Sequence, residues 1–188
     1  LIGDSGTGKS HLLIGLGTAA SEQGHRVRYT LATRLVNELV EAADDKTLAK
    51  TIARYGRVDL LIIDTAGRTE QAALAGARVA DLVLVPLQPS VIDLKTIRAT
   101  NDLINLAGDK PRAAVLTRVK PFGSRHAETA QWLEQQGIPV CPTTIGDRIA
   151  FQDAYAQGAG ASEIDMRGKA AEEIRKVYEY ASILVGLA

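Results

Sequence analysis

The chain has 188 residues, 46% of them hydrophobic, and its 22 basic and 22 acidic side chains give a formal net charge of zero. That length and apolar content suit one domain with a two- or three-layer core, and the charge balance makes no bulk electrostatic case for a nucleic-acid binder. The single Cys141 allows no intramolecular disulfide, and no apolar run approaches the ~20 residues that span a bilayer, so a soluble cytoplasmic protein without a membrane segment is expected.

No signal peptide or initiating methionine is visible, and Leu1-Ile2 reads as the tail of a buried strand; a truncated first strand is therefore expected. Gly3-Asp4-Ser5-Gly6-Thr7-Gly8-Lys9-Ser10 follows at once and fits the phosphate-binding P-loop pattern G-x-x-x-x-G-K-[ST]. Its glycines let successive backbone N–H groups curl around phosphates, its lysine reaches the β/γ-phosphates and its hydroxyl holds Mg²⁺. His11 to Gln23 carries apolar residues at helical spacing and stops at Gly24, a left-handed cap, so a helix N-terminus points at the phosphates. Arg26 to Thr30 reads as a strand, and Thr33 to Ala43 and Asp45 to Tyr55 read as helices.

Leu60-Leu61-Ile62-Ile63 is a buried strand ending at Asp64, a Walker B arrangement that brings a carboxylate to the sheet edge carrying the P-loop, where it shares Mg²⁺ with Ser10. The bland alternative for Asp64 is a helix or turn cap. Thr65 follows it, in the place where one large group of P-loop proteins carries a glutamate base. Asp64-Thr65-Ala66-Gly67 instead forms D-x-x-G, whose glycine N–H can sense a γ-phosphate, or alternatively makes a plain strand-to-helix turn.

Beyond it come a helix Thr69 to Val79, a strand Leu82 to Val85, and a helix Ser90 to Ala107 with a Ser90/Asp93 capping box. A strand Ala113 to Thr117, a helix His126 to Gln136, a short strand at Val140, a helix Arg148 to Gln157 closed by Gly158, and a final amphipathic helix Gly168 to Val185 complete the chain. Alternating strands and helices predict a three-layer α/β P-loop NTPase fold with a mostly parallel sheet, forming a single domain over residues 1–188.

Lys110, Arg112, Arg118, Lys120 and Arg125 form a basic run without an acidic residue, readable as a phosphate or DNA contact or, more plainly, as a solvated loop. Arg167, Lys169, Arg175 and Lys176 interleave with Glu172, Glu173 and Glu179 as an ordinary charged helix face. His11, His25 and His126 show no metal-ligand spacing and read as structural or surface residues, although His11 adjoins the P-loop and is counted with the nucleotide-binding set.

Two resemblances emerge from these residues. From about Asp64 onward the chain resembles the ParA/MinD partition ATPases, on IDTAG (63–67), ADLVLVPLQPSVIDL (80–94), VLTRV (115–119) and PTTIGDRIAFQDAYAQG (142–158). The resemblance implies ATP and Mg²⁺ as ligands, an ATP-dependent homodimer, slow hydrolysis, nonspecific DNA binding and a partition adaptor protein as partner. It also implies a base contact near Thr117 and Arg118. The stretch LIGDSGTGKSHLLIGLGTAASEQGHRVRYTLATRLVNELVEA with RYGRVDLLIID is similar instead to the IstB/DnaC-like transposition helper ATPases, which are AAA+ proteins. The change of resemblance implies a chimera joined near residues 63–65.

Each half departs from its family. Asp4 stands where a partition ATPase carries a second lysine, Tyr29-Thr30-Leu31-Ala32-Thr33 lacks the aspartate that ends that family's second strand, and Thr65 replaces the helper family's glutamate. Binding is therefore better supported than turnover. The families also thread their sheets differently: AAA+ proteins insert a strand between the P-loop and Walker B strands, whereas partition ATPases place them side by side, the arrangement expected here. The readings in order are a ParA-like switch ATPase, an IstB-like helper, and a nucleotide-binding domain without useful hydrolysis.

Overall fold

Every strand pairing in the computed structural model, which describes residues 1–2, 7–64 and 70–186, is parallel. Strand β1 (Val27–Leu31) pairs with β2 (Leu60–Asp64), and β3 (Val83–Leu87) pairs with β4 (Arg112–Leu116). Val140 extends the second pair through a parallel bridge to Ala114. Opposite it, the Ile2 N–H donates to the Leu84 carbonyl at 3.2 Å, docking the segment before the P-loop on the other side of β3.

That bond decides between the two sheet orders. Both sides of β3 are taken, one by β4 and the other by Leu1-Ile2, so the strand after Walker B cannot lie between the P-loop and Walker B strands as the AAA+ order requires. Pro86 fits the same geometry. Val83 and Thr117 make ladder bonds between β3 and β4, and alternation along the strand turns the missing N–H of Pro86 to the opposite side, so pairing with β4 runs on through Leu87. The predicted strand stopped at Val85.

Period-two alternation then divides the core into two faces. Val83, Val85, Leu87, Ala114 and Leu116 face a cluster with helices α4 (Glu70–Val79), α5 (Val91–Leu106) and α6 (Arg125–Gln135). Leu84, Ala113 and Val115 face Leu12 and Ala19 of α1 (Lys9–Glu22) and Ile174 and Val177 of α9 (Lys169–Val185). This is the three-layer architecture. Helix α1 also spans across to β1 and β2. Two glycines permit the close approach: a Cβ at Gly15 would lie 2.8 Å from Ile174 Cδ1, and one at Gly17 would lie 2.8 Å from Ile62 Cδ1.

Ser90 caps α5 by accepting from the Asp93 N–H at 3.2 Å, while the Asp93 carboxylate accepts from the Gln88 N–H at 2.7 Å. The helix predicted from Asp45 begins later: α2 (Ala32–Asp44) ends, Lys46 takes a left-handed φ of 57°, and α3 (Leu48–Tyr55) follows. Two short helices follow β4 and α6, α7 (Ile149–Ala156) and α8 (Ala161–Ile164); α8, a single turn, has too little apolar periodicity to be read from sequence.

Glu38 clasps α2 to its neighbours. It accepts from the Tyr55 hydroxyl, pairs with Arg54, and lies 3.6 Å from Arg28, whose guanidinium sits 4.5 Å above the Tyr55 ring. The Tyr55 hydrogen bond first, and then the two arginines, hold the Glu38 carboxyl below its ordinary 4.5.

Two outcomes follow from this packing. Ile174→Ala, at a 3% exposed position against α1, should cost about 2–5 kcal/mol in urea unfolding. Because the folded Glu38 value lies below the unfolded one, the clasp's contribution is present above pH 4.5 and is lost as pH falls through the folded value. In a pH series of urea midpoints, Glu38→Gln should flatten the acid limb below pH 4.5; an unchanged limb would count against the clasp.

Candidate functional site

Asp64 closes β2 with Leu31 opposite it in the register, which sets Tyr29 and Asp64 on one face of the pair, a diagonal step apart. It is the face covered by α1, since Ile62 on it meets Gly17. Ser10, in the first turn of α1, donates from Oγ to Asp64 Oδ2 at 3.1 Å. The Tyr29 hydroxyl donates to the same oxygen at 2.6 Å. A hydroxyl and a carboxylate thus converge at the mouth of the sheet, an all-oxygen donor pair that fits a hard divalent cation such as Mg²⁺, whose remaining ligands come from waters and phosphates. Burial pushes the Tyr29 phenol well above its ordinary 10, helped by the bond to Asp64 and that group's charge, so it remains a donor throughout the ordinary pH range.

Helix α1 starts at Lys9, immediately after Gly8, which takes φ 82° and ψ 18° and offers no capping side chain. Gly8 leaves the N-cap position of α1 without a capping side chain of its own, and a 14-residue helix brings its positive end to the same place as the Ser10 hydroxyl. The approach to that end is pinned from β4: Thr117 Oγ1 donates to the Thr7 carbonyl at 2.9 Å and lies 3.3 Å from the Leu87 carbonyl. Both threonines are buried. Since a trans peptide points its C=O and N–H in opposite directions, fixing the Thr7 carbonyl toward β4 turns the Gly8 N–H away from it.

Just beyond, Arg118 takes a left-handed φ of 52°. His11 packs its ring 4.6 Å from that of Tyr155. Burial, and then the charge of Arg118, lower the His11 pKa against a hydrogen bond to the Phe151 backbone that raises it. The structure thus gathers Thr7, Gly8, Lys9, Ser10, His11, Asp64, Thr117 and Arg118 around one end of α1. Gly3, Asp4, Ser5, Gly6 and Gly67 lie outside the described residues.

Sequence reasoning missed Tyr29, noting only that its segment has no aspartate. The signal was in the register: pairing β1 with β2 in parallel, ending at Leu31 and Asp64, sets the phenol on the carboxylate's face. The basic run is less uniform than it reads. Arg112 is turned inward, 2.6 Å from Asn101 Oδ1 and 2.7 Å from Asn105 Oδ1 of α5, and is paired with Asp109. Near the C-terminus, Lys176 pairs with Glu172 at 2.7 Å and Arg175 donates to the Met166 carbonyl at 2.8 Å. Among the described residues, no His/Cys/Asp/Glu group forms a metal cluster, and no helix is long and apolar enough to cross a membrane.

Comparison with known proteins recovers both resemblances. Residues 1–85 match the family model of the IstB-like ATP binding protein, and a putative insertion sequence ATP-binding protein of Sinorhizobium fredii is 44% identical over 64 residues, 34% of this chain and 22% of that protein. The maintenance of carboxysome distribution protein A of Halothiobacillus neapolitanus is 26% identical over 125 residues, 63% of this chain and 58% of the relative. The chain therefore spans less than two thirds of the length of these relatives. Among solved structures, the septum site-determining protein MinD of Pyrococcus horikoshii complexed with Mg-ADP superimposes with a TM-score of 0.76 at 16% identity, covering 100% of this chain and 96% of that one. A Cyanothece McdA–ATP complex gives 0.73 at 16% identity, covering 99% and 94%. The fold is thus the α/β P-loop NTPase fold of MinD.

The Thr117 anchor makes a direct prediction. Thr117→Val keeps the shape but removes the hydroxyl that donates to the buried Thr7 carbonyl, and should cost about 0.5–1.5 kcal/mol in urea unfolding. Thr117→Ser, which retains the donor, should recover most of that loss.

Proposed function

We propose that this chain is a ParA/MinD-type P-loop ATPase, which binds ATP with Mg²⁺ and uses the bound state as a switch in positioning plasmids, chromosomes or comparable cargo. The observation that carries the reading is the convergence of Ser10 Oγ and Asp64 Oδ2 at the N-terminus of α1, in a chain with the MinD fold. Gly3, Asp4, Ser5, Gly6, Thr7 and Gly8 form the phosphate cradle. Lys9 neutralises β/γ charge, Ser10 and Asp64 hold the cation, Gly67 senses the γ-phosphate, and His11, Thr117 and Arg118 flank the nucleotide.

The chain's own residues act chiefly by position. Gly8 supplies the left-handed turn into α1, Thr117 fixes the peptide that orients the Gly8 N–H, and Asp64 presents a carboxylate to the Ser10 side of the site. When bound, Mg²⁺ supplies charge neutralisation between the phosphates. With Thr65 after Asp64, no glutamate stands there to orient an attacking water, so slow turnover belongs to the proposal. So do an ATP-dependent homodimer, nonspecific DNA and an adaptor protein as partners, a cytoplasmic location, and a single domain with a join near residues 63–65.

The second reading, an IstB-like transposition helper, draws on the family match over residues 1–85. The two neighbours of β3 favour the first reading: with Leu1-Ile2 on one side and β4 on the other, β3 has no place for the Walker B strand that the AAA+ order of the helper family would set beside it.

Titration with a fluorescent ATP analogue and Mg²⁺ tests the assignment. Lys9→Ala should weaken binding on the order of 100-fold, the loss of a charge-assisted contact to phosphate, and unchanged affinity would sink the proposal. Asp64→Ala should remove Mg²⁺-dependent phosphate release, which in the parent chain should exceed background; a parent indistinguishable from background leaves a binding domain without useful hydrolysis.

A further inference from the structure

The oxygen on Asp64 that faces Ser10 is already fully occupied. A carboxylate oxygen has two lone-pair sites, and on Oδ2 they receive the Ser10 hydroxyl at 3.1 Å and the Tyr29 hydroxyl at 2.6 Å. The two donors differ in what they could do on loading. Ser10 has lone pairs of its own, so it can face a cation while its hydrogen stays on Asp64. Tyr29 approaches from β1, and its hydrogen takes the Oδ2 site at which a cation-bound water would donate.

We propose, building on the nucleotide reading, that Tyr29 is a positioning residue that latches Asp64 in the unloaded chain and gives up its hydrogen bond when the cation and its water shell arrive. Of the two donors to Oδ2, the phenol at 2.6 Å is the one that brings no ligand to the cation, so it is the contact that the arriving water shell displaces. Its ring has somewhere to go: Tyr29 is 42% exposed, whereas Thr30 beside it is buried at 5%. Its movement also has a direct route outward. Strand β1 ends at Leu31, and Leu31 is itself the N-cap of α2, so no loop separates the latch from a helix whose Val36 and Val40 face solvent at 57% and 55% exposure. Release of Tyr29 thereby links occupation of the cation site to the position of β1 and α2.

The test separates the cation from the nucleotide. Tyr29→Phe keeps the ring and removes only the hydroxyl. Binding of a fluorescent ADP analogue is measured first in EDTA and then as a function of Mg²⁺ concentration. The latch predicts that Tyr29→Phe lowers the Mg²⁺ half-saturation about 3- to 10-fold, the worth of one hydrogen bond to a charged acceptor partly replaced by water. It also predicts affinity in EDTA within about twofold of the parent, a split that general loosening of the fold would not produce. An unchanged Mg²⁺ half-saturation overturns the latch. A raised one overturns it too, by showing that Tyr29 holds Asp64 in the loaded geometry. Tyr29→Leu should shift the half-saturation in the same direction; an effect confined to that variant would make ring bulk the cause and sink the hydrogen-bond argument. Failure of the parent chain to bind the analogue at all would instead overturn the nucleotide reading, and the latch with it.

Discussion

The backbone bond from the Ile2 N–H to the Leu84 carbonyl sets the place where the chain leaves the sheet for the P-loop, and much of the site depends on it. Because it occupies the free side of β3, it fixes the segment that precedes the P-loop beside that strand. The Thr117 hydroxyl then holds the far end of the loop through the Thr7 carbonyl. Directly after Thr7 the chain turns at Gly8 into α1, and α1 is held in turn by the close approaches at Gly15 and Gly17. The N-terminus of α1 is thus fixed by backbone pairing, a buried hydroxyl and two missing side chains.

How much of this was legible in the sequence follows from the range of each interaction. The P-loop, the strand ending at Asp64 and the alternation of strands and helices depend on local patterns, and β2, α5 and α9 fall within a residue or so of their predicted limits. The sheet order was legible only through resemblance, because no local pattern says that Ile2 reaches Leu84. Continuation of β3 through Pro86 was hidden for the same reason: a proline breaks a strand or leaves it intact according to which side its missing N–H faces. Tyr29 is the sharpest case. Its role requires a register between segments more than thirty residues apart, and the sequence shows only an unremarkable tyrosine in a short strand.

Charge behaves similarly. A neutral total conceals a basic run from Lys110 to Arg125, yet Arg112 within it serves to tie β4 to α5, with two asparagine oxygens and Asp109 around its guanidinium. Composition alone counts that arginine toward a polyanion surface. Packing removes it, and the remaining members of the run are spread over loop and helix termini. Pairing of Lys176 with Glu172 and anchoring of Arg175 on a carbonyl reduce the C-terminal group in the same way. Any surface that recognises a nucleic-acid backbone must therefore be assembled from fewer cations than the sequence presents.

The IstB-like match runs through residue 85, past β2 and into β3, so it overlaps the ParA-like stretch that begins near Asp64, and the structure gives a physical reason why such segments fold together. β2 contributes Ile62 to the α1 side and pairs in full with β1, while the Leu1-Ile2 segment faces β3 through a single described backbone bond. What the first segment must supply is a glycine-bearing helix that fits beneath α9 and across β2; what the later segment must supply is an alternating β3–β4 pair with a threonine at its end. Both conditions concern shape and hydrogen-bonding geometry rather than descent. They are met at Gly15, Gly17 and Thr117, and the first segment brings to the resulting site a carboxylate whose inner oxygen is already held by a tyrosine from the neighbouring strand.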